Sequence, residues 1–142
     1  MDQQPHYSDE ELARAWIRRF SQSRTSILLA GDADAQMQDD QRIEVETKWA
    51  FDELEKLVEN DPARAWAVIL CILSTAHQDE NALDNLAAGP LETLLARHGR
   101  DVVEWVEAEA KANPKFKELL KGVWGNAIDE AVWAKVRSLS GD

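Results

Sequence analysis

Glu92 and His98 are the residues whose types and placing most invite a chemical reading. They stand within A-A-G-P-L-E-T-L-L-A-R-H-G (Ala87–Gly99), a carboxylate and an imidazole separated by leucines. Such a pair could act as acid and base or hold a small ligand, with Trp124 as a wall and Asp84 or Glu80 as an acidic rim. Each also has a structural reading. Glu92 would sit in the first turn of a helix begun by Pro90, where a carboxylate suits the helix dipole. His98 follows Leu91, Leu94 and Leu95 at helical spacing and precedes Gly99, so it extends an apolar stripe and can donate to carbonyls at the helix end. The expectation is a packed, hydrogen-bonded histidine; a site at this corner is the rival.

Other chemistry is hard to find. The phosphate-binding patterns G-x-G-x-x-G and G-x-x-x-x-G-K-[ST], the hydrolase G-x-S-x-G and the zinc-protease H-E-x-x-H are all absent. With three histidines and one cysteine, no metal-ligand spacing arises. The sequence therefore leans away from an enzyme and implies no cofactor. His6 lies in a tail, and His77 in H-Q-D-E reads as a cation at the negative end of the preceding helix. Cys71 sits inside A-W-A-V-I-L-C-I-L (Ala65–Leu73) and reads as an inert core thiol that forms no intrachain disulfide.

Charge narrows the partners. With 16 basic and 27 acidic residues the net charge is -11, which argues against nucleic acid and anionic membranes and favours a basic protein. No signal-peptide pattern opens the sequence and no apolar run is long enough to cross a bilayer, so a cytoplasmic location is expected. Six tryptophans are many for 142 residues. Trp16 and Trp66 fall on core patterns. Trp49, with Val45, lies nearly opposite the core face of its helix; burial between two layers is expected, an exposed anchor being the alternative. Trp105 is flanked by Glu104 and Glu107. Carboxylates beside aromatics suit a grip on an Arg- or Lys-rich surface, so Trp49, Trp105, Glu104, Glu107, Asp84 and Glu80 form the candidate partner-binding set.

These residues must be positioned by helices, because helix formers dominate and no strand-period alternation appears. Ser8 and Glu11 form a capping box for a first helix bearing Leu12, Ala13, Trp16, Ile17 and Phe20. Residues 21–40 read as a long connection, pinned by Ile27, Leu28 and Leu29. A second helix covers Gln41 to Glu59, and Asp61-Pro62 opens a third that is apolar on every side. Further helices span about Asp79 to Ala88, Pro90 to Gly99 and Ile128 to Leu139. One capped by Asp101 turns Val102, Val103, Val106 and Ala110 inward, and one opened by Pro114 has Phe116, Leu119, Leu120 and Val123 in line. Asn113-Pro114 repeats the acidic or amide cap followed by proline. The expected fold is all-α, one compact domain of seven to eight helices in antiparallel, HEAT-like pairs, with residues 1–40 as a helix plus connection and 41–142 as the main body.

L-A-A-G-P-L-E-T-L-L-A-R-H-G (Leu86–Gly99), V-V-E-W-V-E-A-E-A (Val102–Ala110), N-P-K-F (Asn113–Phe116), G-V-W (Gly122–Trp124), the terminal V-W (Val132–Trp133) and D-P-A-R-A-W (Asp61–Trp66) resemble an uncharacterised bacterial domain family. The first 40 residues lie outside the resemblance. It implies an all-α fold and carries no activity; small acidic bacterial proteins of this kind often act as immunity proteins or toxin antagonists. The leading expectation is thus a non-enzymatic, acidic protein-binding module, concretely an immunity protein. A small-ligand binder or enzyme at Glu92, His98 and Trp124, and a helical-repeat scaffold, are the alternatives. The oligomeric state is left open.

Overall fold

The computed structural model describes residues 7–21, 33–76, 78–125 and 127–140, and of residues 33–40 the helical backbone only. It is all-α: α1 (Asp9–Phe20), α2 (Ala33–Asn60), α3 (Pro62–Thr75), α4 (Glu80–Leu86), a π turn (Ala87–Leu91), α5 (Glu92–Ala112), α6 (Pro114–Leu120) and α7 (Glu130–Ser140). His77, His6, Ile27, Leu28 and Leu29 fall outside the described residues.

Three helix starts are written in the sequence and appear as read. The Ser8 hydroxyl accepts from the Glu11 amide at 3.1 Å while Glu11 accepts from the Ser8 amide at 3.0 Å. Asp61 accepts from the Arg64 amide, and Asn113 from the Lys115 amide, each ahead of a proline in the first helical position. The second helix, in contrast, begins at Ala33 rather than Gln41, so much of the expected connection is helical.

The larger correction is at the corner. α4, the π turn and α5 form one interrupted run, Glu80–Ala112, so the described residues hold six helical runs instead of seven or eight. Gly89 does not stop a helix in a left-handed turn. Pro90, which has no N–H to give, lies inside the π turn, where the wider bonding register accommodates it. The expected stop at His98-Gly99 is a kink at His98 (φ -130°, ψ 24°) within α5.

α1 is integral to the core although it precedes the main body. Leu12, Ala13 and Trp16 are buried against α2 and α3. Both ends are tied down: Asp9 pairs with Arg64 at 3.1 Å, and Asn81 donates to the Phe20 carbonyl at 2.7 Å. α3 supplies the central layer through Val68, Ile69, Ile72 and Leu73. Cys71 is only partly buried, yet burial is the main cause pushing its thiol above the ordinary range, with a side-chain hydrogen bond to Thr75 opposing it. At pH 7.5 the protein should react with a thiol reagent such as Ellman's far more slowly than free cysteine does. A rate matching free cysteine would contradict this.

Candidate functional site

The corner residues make joints. Glu92 Oε1 accepts from the backbone N–H of Trp124 at 3.3 Å, holding the turn after α6 against the start of α5. Gly122 in that turn presses on the π turn: a Cβ there would stand 3.0 Å from the Cβ of Ala87. Gly99 does the same for α7, where a Cβ would meet both Val132 methyl groups at 3.1 Å.

His98 reaches a different neighbour. Its Nε2 lies 2.8 Å from the carbonyl oxygen of Val58, near the end of α2. A carbonyl can only accept, so Nε2 carries the proton. The residue four beyond Val58 is Pro62, which has no N–H, so the α-helical partner of this carbonyl does not exist. His98 supplies the missing donor, so the Asp-Pro and His-Gly motifs are two halves of one contact. Glu92 and His98 thus serve separate backbone groups, and neither lines the two clefts described below.

The partner-binding set separates into three places. Trp105 is half-buried, its ring 6.2 Å from that of Trp66, which meets Phe116 edge-on at 5.3 Å. Glu104 on the same helix is exposed. Glu107 bonds Lys111 at 3.1 Å and Lys135 of α7 at 3.3 Å, and these two ammonium groups hold its carboxyl below the usual carboxylate range. Glu80 and Asp84 line a cleft of about 620 Å³ whose opposite side carries Lys115 and Lys121.

Trp49 lies apart from these. It is 42% exposed, and Val45, one helical turn earlier, is 76% exposed. The expected burial between layers is therefore incomplete. Tyr7 packs on Trp49 with ring centroids 5.3 Å apart, and the Arg64 guanidinium sits 5.0 Å over the Tyr7 ring. Burial, aided by the Glu53 carboxylate, raises the Tyr7 phenol well above its ordinary range, so it stays neutral. Ion pairs flank the patch: Arg18 with Glu46 at 2.8 Å, Arg19 with Glu44, and Lys48 with Asp52 at 3.0 Å. The result is an apolar pair on a rigid helix, framed by charged side chains. Trp124, expected as a pocket wall, is 63% exposed on a turn that Glu92 pins.

Tyr7 was missed by sequence reasoning. The signal that could have found it is its place just before the Ser8 cap, where an apolar residue often packs to fix the chain's entry. Among the described residues no cluster of three or more His, Cys, Asp or Glu could hold a metal ion, and no helix is long and apolar enough to cross a membrane.

One family model, described as a family of unknown function, matches residues 36–141. No curated protein and no solved structure matches the chain.

Proposed function

Since the chain belongs to that family of unknown function, DUF6869, which assigns it no reaction, we propose its role from the surface: it is a protein-binding module that uses the Val45–Trp49 face of α2. The observation that carries this reading is the exposure of Val45 and Trp49 one turn apart on a helix whose other face is core. Large apolar side chains fixed on a rigid element and rimmed by polar groups are the usual anchors of an interface. With a net charge of -11, the fitting partner is a basic protein presenting an apolar side chain to Trp49. In its concrete form the module is a bacterial, cytoplasmic immunity protein that occupies a basic toxin domain. Glu92 and His98, being spent on backbone groups, lend less support to a ligand site at the corner.

A partner captured from the native host should associate with the protein at a rate that falls steeply as salt is raised, since long-range attraction is screened within about 10 Å at 0.1 M. Equal association rates at low and high salt would remove the electrostatic half of the reading.

A further inference from the structure

Between α2 and the π turn lies a second cleft, of about 320 Å³, at the small end of the range for ligand pockets. Phe51, Leu54 and Val58 line it from α2, and Gly89 and Pro90 from the π turn. Its mouth carries Glu55, Glu59 and Arg97. Arg97 is committed to Glu59 at 3.1 Å. Glu55 is exposed and makes no hydrogen bond or ion pair among the described residues. One uncompensated negative charge therefore stands at the edge of an apolar recess.

Gly89 is the independent observation. Glycine within a helical run is destabilising relative to alanine, because it loses more freedom on folding. Here its backbone is not left-handed, and an added Cβ would meet nothing within 4 Å. Neither conformation nor packing calls for glycine at this position. What the missing side chain does is leave one wall of the cleft open, in a π turn, a feature frequent at functional sites.

We propose that this cleft binds a small organic monocation, an arylalkyl- or alkylammonium. Its apolar body lies on Phe51, Leu54, Val58 and Pro90, in space left by Gly89, and its ammonium meets Glu55. The apolar lining excludes a bare metal ion, and the Glu55 charge disfavours an anion.

The test titrates phenethylamine into the full chain, followed by two-dimensional amide NMR, with 2-phenylethanol as the neutral counterpart. Titration to about 20 mM would saturate even a millimolar site. Saturable shifts confined to residues 51–59 and 89–97 are expected, with the alcohol about tenfold weaker, the effect of one charge-assisted contact. Glu55→Gln should bring the amine down to the alcohol's affinity, and Gly89→Leu should abolish the saturable shifts. Gly89→Ala should raise Tm by about 2–4 °C. No saturable shift, equal binding of amine and alcohol, or an unchanged amine affinity in Glu55→Gln would overturn the proposal. A lower Tm for Gly89→Ala would overturn it as well, because the glycine would then serve the backbone.

Discussion

Replacing Trp16 with alanine should lower the unfolding free energy by about 3–5 kcal/mol, and Tm by on the order of 10 °C. Trp16 is 1% exposed, and its ring packs at a tilt against Phe20 with centroids 4.5 Å apart. It belongs to α1, which lies before the stretch that the family model matches. If α1 were an appendage, its loss would leave the rest intact. The contacts say otherwise, since α1 packs on both α2 and α3, and Asn81 caps its final carbonyl. Removing the indole leaves a cavity between three helices that cannot all close on it. Thermal unfolding of Trp16→Ala measures this directly, and a Tm within about 2 °C of the parent protein would show that α1 is dispensable.

Replacing His98 has the second large effect, and its cause is polar. With alanine at 98 the Val58 carbonyl loses its donor, and Pro62 cannot replace it. A buried or half-buried carbonyl left without a partner costs about 1–3 kcal/mol. Two further variants separate packing from hydrogen bonding. His98→Leu keeps most of the volume and should be nearly as destabilised as His98→Ala, whereas His98→Gln, which retains an N–H donor, should recover part of the loss. Equal stability of the leucine and glutamine variants in denaturant melts would mean that His98 acts by packing alone.

The sequence carried the helix starts because they are local. Ser8, Asp61 and Asn113 cap within three residues of themselves, and proline fixes its own φ. It carried the interruptions poorly. Gly89-Pro90 and His98-Gly99 look like stops, yet one is a π turn and the other a kink inside a helical run that continues. Exposure was the least legible property. Trp49 and Trp105 look alike in sequence, both off a core face and both among acids. Trp66, itself backed by Phe116, packs on Trp105, whereas Tyr7 covers only part of Trp49. Periodicity shows which face a side chain takes, not what arrives opposite it. The same limit kept hidden that the Asp-Pro and His-Gly motifs serve one hydrogen bond.

In the proposed function Val45 and Trp49 form the binding face, while Glu92 and His98 build joints between helices. The measurement that bears on it most directly is the dissociation constant of the captured partner for Trp49→Ala beside Glu92→Gln. The tryptophan variant should bind at least about 30-fold more weakly, the scale of an interface hot spot, with Tm within a few degrees of the parent protein. Glu92→Gln should bind as the parent does once folded. Undiminished binding by Trp49→Ala, or a comparable loss in Glu92→Gln at full folding, would contradict it.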